Sequence, residues 1–232
     1  MKILLVSATQ FEILPLLDKL GEKFQLKANN TYHKNANEIK VLLTGVGLTH
    51  TAFALGWTLS SYRPDLCINA GLAGSFDKNL KLGEVVNVVA QCFGDLGVEE
   101  KDGSFTDMFE LGLLKHNEMP FVNGRLYNAE ISGFDFLPSV RSISVNKVHG
   151  YLESIDKIVA KYQPDVESME GAAFFFSCLQ AKIPFLEIRG ISNYVEPRNR
   201  ENWCIGPAID NLNATVMDII ELLTSEAENG QK

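Results

Sequence analysis

The sequence predicts an α/β protein: three layers, α/β/α, built around a central, mostly parallel mixed sheet. Lys2–Ser7 is a near-continuous apolar run, as expected of a strand covered on both faces. Runs of this kind then alternate with segments of helical period. Two of the strands lead into glycine-rich turns, Gly45-Val-Gly47 and Gly71-Leu-Ala-Gly74, and such turns line the ligand crevice at the carboxyl ends of parallel strands. The 232 residues, 46% of them apolar, suffice for one domain, 1–232, with a full core.

Each element follows from local pattern. Phe11 to Leu20 carries Ile13, Leu16, Leu17 and Leu20 at helical spacing. Val41 to Leu43 is a strand, closed by the first glycine turn and followed by a helix over Thr49–Ser61 that Pro64 ends. Leu66 to Asn69 is the next strand, and the order strand, helix, strand implies right-handed parallel crossovers. Val85 to Ala90 extends the sheet, whereas 92–140 reads as irregular, charged and Phe-containing. Ser142 to Val145 returns to strand. Glu167 to Lys182 is helical through Phe174, Phe175 and Phe176, and Phe185 to Ile188 is the last strong strand. A final helix from Ile205 to Leu223 shows one apolar stripe, and the polar tail from Ser225 is expected to fray.

Composition excludes several classes. A formal charge of −8 argues against nucleic acid or an anionic membrane surface as a main partner. Cys67, Cys92, Cys178 and Cys204 are scattered without a CxxC pair, which suits reduced thiols of a cytoplasmic protein better than a disulfide framework or a zinc site. The apolar run after Met1 is too short for a signal-peptide core or a membrane span.

The candidate chemistry lies in a few polar groups. Glu12 stands in the first turn of a helix, where it either complements the helix dipole or serves as a general base beside the crevice. Glu170 has the same two readings, sharpened by Met169, a soft apolar surface, and by Gly171, which permits close approach. Asn193, at the exit of a strand, is either a turn residue or a ligand to a polar ring. His50 and His149 lack metal-ligand spacing and read as packed or hydrogen-bonded. Arg198 and Arg200 form a basic spot that is either solvated or able to hold a carboxylate.

Five segments in this order carry a resemblance: the first strand leading to Glu12, Thr44-Gly-Val-Gly47, Asn69-Ala-Gly-Leu-Ala-Gly74, Glu167-Ser-Met-Glu-Gly-Ala-Ala173 and Arg189-Gly-Ile-Ser-Asn193. Over about residues 1–223 the chain resembles the nucleoside phosphorylase/nucleosidase superfamily. Within it, Phe93 through Gly112 and Val195-Glu-Pro-Arg-Asn-Arg200 look like the futalosine-cleaving branch. The resemblance implies a nucleoside phosphorylase-like fold, a purine nucleoside substrate, a homo-oligomer, and a role in menaquinone biosynthesis. No metal or organic cofactor is called for.

Residue by residue, the resemblance implies that Glu12 activates water, that Glu170 holds the ribose hydroxyls, and that Met169 packs beneath the sugar. Asn193 stands where adenine-specific nucleosidases carry an aspartate. An amide can donate to O6 of a 6-oxopurine and accept from a protonated N7, so hypoxanthine is favoured over adenine as leaving base. Hydrolysis is favoured over phosphorolysis because residues 3–20 contain no arginine and Leu72 occupies a position where a hydroxyl would help bind phosphate. Gly45, Leu72, Ala73, Gly74, Val148 and His149 are expected around the nucleoside. Phe105 and Phe109, with Arg198 or Arg200, are expected around its 5′ substituent. An adenine-releasing methylthioadenosine/S-adenosylhomocysteine nucleosidase, a purine nucleoside phosphorylase and a non-catalytic nucleoside-binding protein are the alternatives.

Overall fold

The computed structural model describes residues 1–27, 30–128 and 136–229, with side chains up to residue 225. Strand β1 (Lys2–Ser7) leads into helix α1 (Gln10–Lys23), then β2 (Gln25–Lys27), β3 (Thr31–Lys34) and β4 (Asn37–Leu43). Helix α2 (Leu48–Ser61), β5 (Leu66–Ser75) and β6 (Val85–Phe93) follow, and then the short β7 (Gly97–Glu99), β8 (Phe105–Asp107) and β9 (Leu126–Tyr127). The chain continues through β10 (Ser139–Ser144), α3 (Leu152–Tyr162), β11 (Val166–Ser168), α4 (Gly171–Ala181), β12 (Phe185–Tyr194) and α5 (Ile205–Asn229).

Ten strands form one mixed sheet in the order β11-β10-β6-β12-β5-β1-β4-β3-β2, with β9 on the flank of β6. The two faces of β1 show why its sequence is apolar throughout. Ile3 and Leu5 pack with Ile13, Leu16 and Leu20 of α1 and with Leu212, Val216 and Ile220 of α5. Leu4 and Val6 pack instead with Leu55 of α2 and Phe174, Phe175 and Cys178 of α4. Alternate residues of one strand thus serve two helical layers. Among the described residues no helix is long and apolar enough to cross a membrane.

The sheet also curls onto itself. Strand β11 pairs parallel with β10 and antiparallel with β5, through Val166↔Ser75 and Glu167↔Gly74. Strands β5, β12, β6, β10 and β11 therefore make a closed ring, and the far ends of β5, β11 and β12 are drawn together.

Three expectations change in consequence. Strand β5 runs through Gly71–Gly74, so that segment is not a turn. Glu167 lies on β11 rather than in a helix, and α4 begins only at Gly171, with Glu170 as its N-cap residue. Strand β12 extends through Asn193, so this residue is not in an exit turn. Helix α3, β2 and β3 were not foreseen, nor were the short strands within 92–140. The final helix continues to Asn229, past the expected start of the frayed tail, whose last residues lie outside the described ones.

Helix α1 is tied to α5 at the turn that carries Glu12. Pro15 removes an amide and crowds the preceding turn. The side chain of Asn213, 1% exposed, enters there. Its Oδ1 accepts from the Leu16 amide at 3.0 Å, and its Nδ2 donates to the Glu12 carbonyl at 2.8 Å.

Candidate active site

A cavity of about 310 Å³ opens where the ends of β5, β11 and β12 face the start of α1. Its wall includes Glu12, Leu72, Ala73, Gly74, Met169, Glu170 and Asn193, joined by Val148, His149 and Arg198. Gly45, Arg200, Phe105 and Phe109 lie outside that wall.

Each misplaced residue has a local reason. Gly45, at φ +84°, packs against His50, and its neighbour Val46 reaches the cavity instead. Arg200 and Arg198 both sit over the Trp203 ring, at 5.7 and 5.0 Å, but only Arg198 also faces inward. Phe105 belongs to the β7–β8 ribbon, below the Lys161 ammonium. Phe109 stacks on His116, meets Phe121 edge to face, and lines a second, smaller cavity.

Glu12 occupies the third position of α1. One carboxylate oxygen accepts from the Thr9 amide and hydroxyl at 3.2 and 2.9 Å, a capping box. The other accepts from the Leu72 amide of β5 at 3.1 Å. Capping thus aims the carboxylate at the sheet, and the structural and chemical readings of this residue coincide.

Glu170 is buried, and its Oε1 accepts from the Gly47 amide at 3.0 Å. Gly47 has φ +96° and caps α2, so the first glycine turn serves to present an amide to this carboxylate. Asn193 follows a register shift in β12, between Ile191 and Asn193, and such bulges re-aim side chains. Its Oδ1 accepts from the Ser192 hydroxyl at 2.8 Å and its Nδ2 donates to the Tyr194 carbonyl at 3.0 Å. One amide proton and one oxygen lone pair are left over from these two bonds.

Beneath the cavity lies a group absent from the sequence-based candidates. Arg189 is 1% exposed, and its Nε donates to Glu187 at 2.8 Å. Its Nη1 stands 3.9 Å from Glu170, while Nη2 is buried with no hydrogen-bond partner among the described residues. Glu187 is held in turn by Gln91, at 3.0 Å to both oxygens, and Gln91 by the Ser144 hydroxyl. A signal for this pair was present: Glu187-Ile-Arg189 puts two opposite charges on one face of an otherwise apolar strand.

Burial pushes the Glu170 carboxyl above the usual carboxylate range, against the opposing pull of Arg189 and the Gly47 amide. Burial also works against the charge of Arg189, but Glu187 and Glu170 outweigh it and hold the guanidinium above its ordinary value. Three carboxylates, Glu12, Glu170 and Glu187, thus share one guanidinium.

Comparison with known proteins agrees with this geometry. The phosphorylase superfamily pattern matches residues 2–225. A 5'-methylthioadenosine/S-adenosylhomocysteine nucleosidase of Colwellia psychrerythraea is 26% identical over 209 residues, covering 83% of this chain and 84% of that protein. The solved nucleosidase of the same name from Helicobacter pylori superposes with a TM-score of 0.75 at 16% identity, covering 95% and 98% of the two chains. The solved futalosine hydrolase of H. pylori superposes at 0.71, also at 16% identity, over 94% and 97%. The chain belongs to the phosphorylase superfamily. It is an enzyme, and the bond it hydrolyses is N-glycosidic.

The raised Glu170 carboxyl has a consequence for stability. The folded state holds this proton to higher pH than the unfolded chain does. Stability from this group is therefore full below the ordinary carboxylate pKa and lost as pH rises through the raised value. Glu170→Gln keeps an oxygen for Gly47 but removes the buried charge. Melting temperatures from pH 4 to 7 should show the variant gaining on the parent as pH rises. A parent advantage that grows with pH would mean that Arg189 overcompensates burial.

Proposed function

We propose that this cytoplasmic enzyme hydrolyses the N-glycosidic bond of futalosine, a 6-oxopurine nucleoside, releasing hypoxanthine in menaquinone biosynthesis. Asn193 carries the reading. Its spare N–H and its spare lone pair match O6 and a protonated N7, whereas a 6-amino group would meet a second donor. Glu170 takes the ribose hydroxyls, with Met169 beneath the ring, and the approach of Arg189 limits repulsion between Glu170 and Glu12.

Glu12 accepts a proton from the attacking water as its oxygen bonds to C1′. Arg189 supports this role by bringing positive charge toward Glu12, since Nη1 and Glu12 Oε1 both crowd the Cβ position of Gly71. Water suits the site better than phosphate, because three carboxylates around one guanidinium leave a net negative field that disfavours a dianion. Arg198, which lines the cavity, would meet the anionic 5′ substituent.

A second reading is favoured by the sequence relatives, which carry the methylthioadenosine/S-adenosylhomocysteine nucleosidase name. Futalosine, inosine and methylthioadenosine, each incubated with and without phosphate, separate the two. The expected result is hypoxanthine from futalosine, independent of phosphate. Adenine from methylthioadenosine as the main product would establish the second reading instead. Asn193→Asp should move the futalosine-to-methylthioadenosine ratio of kcat/KM toward adenine by roughly 10-fold or more, the scale of one mispaired polar group. Arg198→Ala should raise KM for futalosine and leave inosine unaffected. An unchanged KM for futalosine would remove Arg198 from the site.

We also infer a homo-oligomer. Phe53 and Trp57, 73% and 74% exposed, stack on each other along α2, and exposed Val46 and Phe11 lie at the cavity. Large exposed apolar groups of this kind mark association surfaces. Sedimentation of the parent should give at least a dimer, and Phe53→Glu with Trp57→Glu should give a monomer. A monomeric parent would refute the inference.

A further inference from the structure

The departing purine must gain a proton, and an amide at position 193 has none to give. The second shared feature of the cavity wall is a histidine–carboxylate pair. His149 Nδ1 lies 2.7 Å from Glu167 Oε2, and the His149 backbone amide donates to Oε1 of the same carboxylate at 3.0 Å. Glu167 is 4% exposed and fixed on β11 opposite Gly74. The His149 side chain is 11% exposed, lines the cavity, and has Phe76 beside its ring at 6.4 Å.

A buried carboxylate on Nδ1 selects the tautomer with hydrogen at Nδ1 and fixes the ring's orientation. Among the described residues Nε2 makes no hydrogen bond. The pair is also close to the base-recognising amide. A β-carbon on Gly74 would stand 3.1 Å from Asn193 Nδ2 and 3.7 Å from Glu167 Cγ.

We propose that His149, held by Glu167, is the general acid that protonates the leaving purine. The proposal rests on the nucleosidase reading above and adds the missing proton source. The C1′–N9 bond breaks with its electron pair passing into the purine. The Nε2 proton of His149 passes to N7 and is then shared with the spare lone pair of Asn193, while water bonds to C1′ and gives its proton to Glu12. Solvent then restores a proton to His149 and takes one from Glu12. His149 is a catalytic residue in this scheme and Glu167 a positioning residue. The other charged groups facing the cavity are Glu12, Glu170, Glu196 and Arg198.

Two variants and two readouts test it. His149→Gln should lower kcat on the purine nucleoside by about 100-fold or more, the usual share of a general acid. The alkaline limb of the parent's kcat/KM profile should vanish in that variant. Glu167→Gln should lower kcat on the purine nucleoside more than on 4-nitrophenyl riboside, because the ring loses the carboxylate that orients it. Cleavage of 4-nitrophenyl riboside, whose leaving group departs without a proton, should change less than about threefold in His149→Gln. Persistence of the alkaline limb in His149→Gln, or an equal loss on both substrates, would overturn the proposal. Should the parent release adenine alone, the 6-oxopurine reading fails. The same variants then test the proton source on methylthioadenosine, since Asn193 is no better an acid there.

Discussion

A buried ion pair, Arg189 with Glu187, is the constraint around which this protein is arranged. Two charges out of water are tolerable only when each is bonded, and removal of one partner from such a pair typically costs about 3–5 kcal/mol. The surrounding sequence meets that requirement on the Glu187 side, whereas Nη2 of Arg189 has no partner among the described residues. Gln91 spans both oxygens of Glu187, Ser144 holds Gln91, and the Ala172 amide at the start of α4 donates to Ser144. Two glycines complete the packing. A β-carbon at Gly71 would fall 2.2 Å from Arg189 Nη1, and one at Gly171 would fall 1.9 Å from Gln91 Nε2. These glycines serve the space needs of a buried charge, and the cavity above inherits their placement.

The site is accordingly a by-product of topology as much as of side-chain choice. Ring closure through β11 brings Glu167 against Gly74, and the β12 bulge swings Asn193 to the same place. Glu12 arrives from the opposite side on α1, tied to β5 by the Leu72 amide. Asn193, Glu170 and Glu12, to which we assign base recognition, sugar recognition and water activation, thus come from strands and helices distant in sequence. Their separation is fixed by the sheet, with no contribution from loop flexibility.

Much of this was legible in the order of residues. The apolar runs gave β1, β5, β6 and β12, and helical spacing gave α1 and α5, because burial on defined faces writes itself into periodicity. Glu12, Glu170 and Asn193 were legible as polar groups at the ends of such runs. The strands β2, β7 and β8 were not: each has three residues, too few to show a period, and β2 and β7 are exposed throughout. Helix α3 did carry a pattern, in Ile155 and Ile158, that went unread. Glu167 was assigned to a helix because a three-residue strand running directly into α4 has the composition of its successor. Arg189 was overlooked for a different reason: its partner Glu187 masks it as ordinary charge alternation, and only three-dimensional burial shows what the pair does.

Asn213 adds a temporal aspect. It completes the turn that bears Glu12 from 201 residues further along the chain. The turn that bears Glu12 is translated before Asn213, so its backbone clamp forms late. A polypeptide that ends before the last helix retains the Thr9 and Leu72 partners of the Glu12 carboxylate but lacks the backbone clamp of its turn.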